Sequence, residues 1–392
     1  MARAAFGWRM PVEVHFGAGS AATLSEQLGD SLAVVMAFEP ASALGWRSRW
    51  SAALGKRLLA WVEVPDGLSS MARCRGFAAE VWPALAAHPG AVLIALGGGT
   101  TLDIAKVLRC RPVADEPRID LRAACHRPTH LQGFEPVAAA LRGTAPWPAL
   151  DLAPLWMVPT TAGTGSEVTR WATVWDTDQH PQQKRSFDEP FGFAEKAFVD
   201  PLLTHSCPEA VTRDTALDAL SHALEAIWNR HANPFSDVLA VSAAQKVLAW
   251  LPVALREPGN VQAREALSLA SLEAGFAFSQ TRTALAHALS YAVTLEQGVP
   301  HGLACGLWLP TACRLAQGRD ERVDWLLSQV FNAIPAQPGL TGSAESALLL
   351  QRWLAEVGVQ ADPAFYGVLD AEQRIQEALG SSRGRNFIAA RS

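Results

Sequence analysis

The sequence predicts an α/β N-terminal domain built on a parallel sheet, followed by an all-helical C-terminal domain. Three observations carry that expectation. The first half alternates short strand-like runs with helix-like runs, which is the pattern of a parallel sheet covered by helices. A run of three glycines, Gly97-Gly98-Gly99, closes one strand-like run and opens a helix-like one. Beyond Pro208 the apolar periodicity becomes helical and strand-like segments stop. The boundary is placed near 206, giving domains of 1–206 and 207–392 in a chain of 392 residues, long for a single core.

Taken in order, strands are expected at 12–16, 32–37, 61–64, 91–96 and 155–158, with helices at 70–87 and 101–108. Residues 111–150 are rich in Pro, Ala and Arg and read as loop with broken helices. The strand at 155–158 runs into Pro159-Thr160-Thr161-Ala162-Gly163-Thr164-Gly165-Ser166-Glu167, a turn dense in hydroxyls and glycines. Helices then follow at 209–228, 236–251, 261–279, 302–315 and 343–357.

Composition excludes several classes. Apolar residues make up 49% and charged residues 18%, as suits large cores. The net charge is −5 and no basic block occurs, which argues against nucleic acid and anionic membrane surfaces as partners. No run of 18 apolar residues occurs, so no membrane span is expected, and the start does not read as a signal peptide. The six cysteines (Cys74, Cys110, Cys125, Cys207, Cys305, Cys313) are scattered and form no CxxC pair, so a cytoplasmic protein with reduced thiols is expected. Only five of the 33 basic residues are lysine.

Two stretches carry chemistry. Glycines after the strand at 91–96 let the backbone approach a phosphate, and the helix that follows presents free N–H groups and a positive dipole end. Thr100 or Thr101 can cap that helix or donate to phosphate. The turn is not GxGxxG, so the ordinary dinucleotide fingerprint is absent, and a ligand-free strand–helix turn is the other reading. In Asp218-Ala-Leu-Ser-His222, carboxylate and imidazole stand four apart, on one face of a helix. With His287 and His301 downstream they can form a set of one oxygen and three nitrogens, suited to divalent iron or zinc rather than magnesium or calcium. The alternative is a buried Asp–His hydrogen bond and two unrelated histidines.

The glycine turn with Asp103 and Lys106, the 160–167 loop, Asp218 with His222, then His287 and His301-Gly302 occur in that order, with Phe16-Gly17 before them and Arg385-Asn386 after. This series resembles the iron-containing (group III) alcohol dehydrogenases over nearly the full length. The resemblance implies the dehydroquinate synthase-like fold, with the cofactor between the two domains and the metal on the helical one. It implies that Gly97, Gly98, Gly99, Thr100, Thr101 and Asp103 hold the cofactor diphosphate. Thr160, Thr161, Thr164 and Ser166 would line the cofactor, and Lys184 would reach its ribose. Asp218, His222, His287 and His301 match the metal ligands, for Fe2+ or Zn2+.

Two departures stand out. The family's second histidine, four residues after the third ligand, is here Tyr291, which can still donate a proton. Glu39, after the strand at 32–37, stands where the adenosine-ribose carboxylate is expected and favours NAD over NADP. A narrower resemblance is to the branch linked to phosphonate metabolism. It rests on 219–225 with Ile227-Trp228-Asn229-Arg230, on 278–287, on Ser290-Tyr291 and on 299–305. Members of that branch reduce phosphonoacetaldehyde to 2-hydroxyethylphosphonate.

The expectation is therefore a metal-dependent nicotinamide oxidoreductase acting on a small aldehyde, with Tyr291 assisting the proton and Arg282 or Arg230 binding a phosphonate. A general aldehyde reductase is the first alternative. A dehydroquinate synthase-like lyase shares the plan and would turn over without net use of NADH. A non-catalytic relative is opposed by the intact ligand types. The sequence leaves the oligomeric state open, a homodimer included.

Overall fold

A computed structural model describes residues 5–113, 133–180, 182–332 and 345–390. Cys125 and part of the expected 111–150 loop lie outside the described residues, as does the start of the helix expected at 343–357. The chain divides into two compact units: one comprises Pro11–Thr160 and Thr169–Asp200, the other Met1–Met10, Thr161–Val168 and Pro201–Ser392. The hydroxyl- and glycine-rich loop at 161–168 therefore packs with the helical unit, although it is continuous in sequence with the sheet.

The α/β unit is built on a six-stranded sheet. Its strands are β1 (Glu13–Phe16), β2 (Ala33–Phe38), β3 (Leu58–Val64), β4 (Val92–Gly97), β7 (Leu155–Pro159) and β10 (Lys196–Val199), in the order β1-β10-β7-β4-β2-β3. Every pairing in it is parallel. The central strands read as unbroken apolar runs because both faces are covered; all six residues of β4 are buried. Two antiparallel pairs flank the sheet: β5 (Cys110–Pro112) with β6 (Leu150–Leu152), and β8 (Trp171–Asp176) with β9 (Gln183–Asp188). Sequence periodicity found five of the six sheet strands. It missed β10, where only four residues pair, and both small antiparallel pairs.

The helical unit gathers around Glu209–Ile227, Pro234–Arg256 and Val261–Thr281, which share one apolar core. Pro234–Arg256 is long and apolar enough to cross a membrane by length and composition. Its charged side chains are nonetheless paired within the bundle: Lys246 with Glu273 at 2.9 Å, and Asp237 with Arg322. Asn233 starts this helix, accepting from the N–H groups of Phe235 and Ser236, and the Ser236 hydroxyl accepts from the Asn233 N–H in return. The single helix expected at 302–315 is two, His301–Gly306 and Leu309–Ala316. Pro310 lacks an N–H and its ring crowds the carbonyl four residues back, so the first helix ends and a second begins with proline in its first turn.

Within the α/β unit the chain leaves β2 for β3, then returns across β2 to β4. The strand order therefore reverses between β2 and β4, the position at which doubly wound sheets bind dinucleotides. Glu39 follows β2 there, and the Gly99–Leu108 helix starts there after β4. No side chain caps that helix, so its first backbone N–H groups have no intrahelical partner. Gly98→Val is expected to fold yet lose NADH binding, because bulk beside those N–H groups keeps a phosphate away. Cofactor affinity equal to the parent's in a fluorescence titration would contradict this.

Candidate metal centre and nucleotide turn

Asp218 and His222 lie on the Glu209–Ile227 helix, one turn apart. His287 is in the first turn of Leu285–Gln297, and His301 is the first residue of His301–Gly306. The structure brings all four together. From Asp218 Oδ1 the distances are 3.4 Å to His287 Nε2, 3.8 Å to His222 Nε2 and 3.9 Å to His301 Nε2. Ligands about 2.1 Å from one tetrahedral ion stand roughly 3.4 Å apart, so Asp218 Oδ1 is close to coordination spacing from each of the three imidazoles before any ion is considered. Asp218, His222 and His287 are buried, and the His301 side chain is 38% exposed, which makes it the open side of the cluster.

Glu225 fixes His287. It lies on the same helix as His222, three residues further on, and is fully buried. One carboxylate oxygen accepts from the N–H groups of Ala286 and His287, and the other accepts from the Ala284 N–H and from His287 Nδ1 at 2.7 Å. That bond places an imidazole proton on Nδ1 and turns Nε2 toward Asp218. The segment before His287 is held from two further sides. Asn229 Nδ2 donates to the Arg282 carbonyl and Asn386 Nδ2 to the Thr283 carbonyl. His222 is sandwiched between the Phe278 ring, 3.9 Å away and nearly parallel, and the His287 ring at 4.6 Å. Glycine lets the elements approach. A Cβ at Gly302 would overlap the Asp214 carbonyl oxygen, and one at Gly163 would overlap that of Thr215.

The electrostatics favour a cation. Burial pushes the Asp218 carboxyl up, but the imidazoles of His222, His301 and His287 outweigh it and hold the carboxyl well below its usual range. Burial pushes the His222 imidazole down to about 4, against the pull of Asp218. Burial also pushes the His287 imidazole down, but Cys305, Glu225 and Asp218 beside it outweigh that and raise it well above its usual value. The surroundings of His287 therefore reward positive charge at that point, which a bound ion also supplies. Asp218 Oδ1 and His287 Nε2 are buried and have no hydrogen-bond partner among the described residues. Each such orphan costs about 1–3 kcal/mol. A divalent ion relieves both at once, so the residues present fit iron or zinc.

The other expected residues fall as follows. Tyr291 lies one turn beyond His287. Its ring is parallel to that of His301 with centroids 5.7 Å apart, and the Arg383 guanidinium lies over it, 5.0 Å from the ring centroid. Arg282 is exposed and is the one non-glycine among the described residues with a left-handed backbone, φ 69°. Arg230 does not act as a free cation: its guanidinium donates to the carbonyls of Phe387 and Ala390 and staples the C-terminal segment. Asn233, which stands near it in sequence, is spent on the helix cap. Lys184 is on β9 with its amine 6.0 Å from the Trp175 ring. Lys106 is fully buried, donating to Thr169 Oγ1 and the Trp171 carbonyl.

At the nucleotide turn the threonine hydroxyls serve the fold. Thr100 donates to the Gly67 carbonyl, and Thr101 is buried where a Cβ on Gly97 would meet its Oγ1 at 2.6 Å. Neither caps the helix. Gly98 and Gly99 open it, and Asp103 accepts from the Thr173 N–H at 2.8 Å, tying that helix to β8. Thr160 donates its N–H to the Gly97 carbonyl, so the ends of β4 and β7 are joined. In the helical unit Thr161 is half-buried, Thr164 Oγ1 accepts from the Ser166 N–H, and Ser166 is buried. Sequence reasoning missed two neighbours of the candidate cluster, Glu225 and Cys305. Both had a signal: Glu225 is i+3 from His222 and Cys305 is i+4 from His301, each on a ligand's own helical face.

A parallel α/β sheet with an open helix start at its reversal point, and a helical bundle with one aspartate and three histidines gathered in its interior, define a nucleotide- and metal-binding class of fold. Family models of such proteins match in both halves: "Iron-containing alcohol dehydrogenase" over residues 11–201 and "Fe-containing alcohol dehydrogenase family, C-terminal" over 212–368. The chain belongs to the iron-containing alcohol dehydrogenase family. It is 30% identical over 317 residues to the phosphonoacetaldehyde reductase of Streptomyces viridochromogenes, covering 79% of this chain and 72% of that one. It is 34% identical over 220 residues to an alcohol dehydrogenase of Thermococcus barophilus, covering 56% of this chain and 52% of the relative. With a probable alcohol dehydrogenase of Escherichia coli it shares 33% over 261 residues, 62% of this chain and 60% of the relative. These last two matches thus span between half and three-fifths of the relatives' lengths. The fold is similar to that of sulfoacetaldehyde reductase from Bifidobacterium kashiwanohense in complex with NAD+, with a TM-score of 0.81, 23% identity, and 98% and 95% of the two chains covered.

Two outcomes are expected. Glu225→Gln presents an amide NH2 to a ring of donors, so His287 loses its fixed orientation and ion affinity falls about 10–100-fold, measured by competition with a chromogenic chelator. Gly302→Ala forces the His301 helix off its neighbour. It should cost about 1–3 kcal/mol of stability in denaturant unfolding and leave the purified protein depleted of metal; a variant with the parent's stability and metal content would contradict the close-approach reading.

Proposed function

We propose that the chain is a metal-dependent, NAD(P)H-linked alcohol dehydrogenase that reduces a small aldehyde, with phosphonoacetaldehyde as substrate and 2-hydroxyethylphosphonate as product. The observation that carries the redox assignment is the cluster of Asp218, His222, His287 and His301, buried but for His301, with its orphaned atoms, in a chain of this family. When bound, the ion supplies Lewis acidity that polarises the carbonyl, and the nicotinamide supplies the hydride.

The chain's own residues do the rest. Glu225 holds the His287 ring in place. The backbone N–H groups at Gly98–Thr101 and the dipole of the helix behind them bind the diphosphate. Glu39 accepts from a ribose 2′-hydroxyl and repels a 2′-phosphate, which favours NADH over NADPH, and Lys184 reaches the other ribose. The Tyr291 phenol, beside the half-buried His301, would give a proton to the substrate oxygen, and solvent would return it. Tyr291→Phe should lower kcat several-fold with little change in KM, since water beside His301 can replace the phenol; an unaltered kcat would leave the tyrosine a packing residue.

Arg282 supports the phosphonate. A non-glycine at φ 69° costs about 1–3 kcal/mol, a strain glycine would remove, yet arginine stands there five residues before His287 with an exposed side chain. A guanidinium binds two phosphonate oxygens at once. The alignment with the Streptomyces viridochromogenes phosphonoacetaldehyde reductase supports the same substrate class. Phosphonoacetaldehyde should exceed propanal in kcat/KM, and Arg282→Ala should remove about 2–4 kcal/mol of that preference, roughly 30- to 1,000-fold. Equal reduction of the two aldehydes by the parent would leave a general aldehyde reductase.

A further inference from the structure

Cys305 is a fully buried thiol beside the candidate ligands Asp218, His287 and His301. It lies four residues after His301 on the same short helix, so its side chain rises on the ligand's own face. Its Sγ is 3.8 Å from His301 Nε2 and 4.0 Å from Nδ1. One donor atom from each of Asp218, His287, His301 and Cys305 lies within 4.8 Å of all the others. Two of the neighbouring atoms, Asp218 Oδ1 and His287 Nε2, are buried without a hydrogen-bond partner. The sulfur therefore does not stand alone: a carboxylate oxygen and an imidazole nitrogen without hydrogen-bond partners lie within 4.8 Å of it.

We propose that Cys305 is a further ligand of the ion held by Asp218, His287 and His301, making this a sulfur-containing site. The inference rests on the assignment of those three residues as ligands. On binding, a metal–sulfur bond forms, the S–H bond breaks, and the proton passes to solvent. A thiolate is the softest donor in the cluster, so it biases the site toward thiophilic ions, zinc and cobalt, more than an oxygen and imidazoles would alone.

The test uses the full chain, stripped with a chelator and titrated with cobalt(II). The expected result is a sulfur-to-cobalt charge-transfer absorption in the near ultraviolet that saturates at one equivalent. Cys305→Ser should bind cobalt without that absorption and hold zinc roughly tenfold or more weakly, as measured by chelator competition. Cobalt bound by the parent without the absorption would overturn the proposal, and so would its persistence in Cys305→Ser. The parent spectrum decides the matter even if the serine variant fails to fold. His287→Ala separates this inference from the one beneath it. Stoichiometric cobalt binding at parental affinity in that variant would sink the whole ligand assignment, whereas its loss with no sulfur absorption in the parent would sink only the role of Cys305.

Discussion

The carboxylate of Glu225 is the fixed point of the helical unit. An ion with no solvent exposure is tolerated only when its lone pairs are filled. Here three backbone N–H groups at the start of the Leu285–Gln297 helix and the His287 ring fill them. Burial alone pushes this carboxyl up; His287 and the N–H groups of Ala284 and His287 bring it below its usual range, so it stays charged. The first turn of a helix is also the end that favours negative charge. Because Glu225, His222 and Asp218 share one helix face, this single lock sets the position of His287 against two other donors. Groups 62 residues apart in sequence are thereby held to ångström tolerance.

The surrounding structure is arranged to keep that face crowded. Gly302 and Gly163 are there because another residue's Cβ would enter a carbonyl oxygen of the Glu209–Ile227 helix. Gly165 and Gly275 meet in the same way, with a Cβ on Gly165 falling 2.7 Å from the Gly275 Cα. Asn229 and Asn386 hold the carbonyls of Arg282 and Thr283, which is how the backbone at Arg282 is kept in a conformation it would not choose. Arg230 secures the C-terminal strip that carries Asn386. Strain at one arginine is thus distributed over a network of amides.

The α/β unit is organised differently. Its strands end on one edge, and the reversal of strand order brings Glu39 and the Gly99–Leu108 helix start to that edge together. Asp103, Thr100 and Thr101 stabilise the turn from behind, and leave backbone N–H groups as its available donors.

The sequence by itself determined the fold class, five of six sheet strands, the glycine turn and the Asp–His spacing on one helix. All of these are local: a period of two or 3.6, or residues within one turn of each other, and local sterics decide them. It also contained Glu225 and Cys305 at helical spacing from ligands, but spacing does not say which face is buried. What only the tertiary structure decided depends on contacts between distant segments. The 161–168 loop packs with the helices because its glycines fit against Thr215 and Gly275. Arg230 is consumed by the C-terminus, while Arg282 remains exposed. The helix expected at 302–315 breaks before Pro310. Above all, the donors Asp218, His222, His287, His301 and Cys305 come from three helices, and only packing could place a thiol among them, because neighbours across a core carry no trace in the order of the chain.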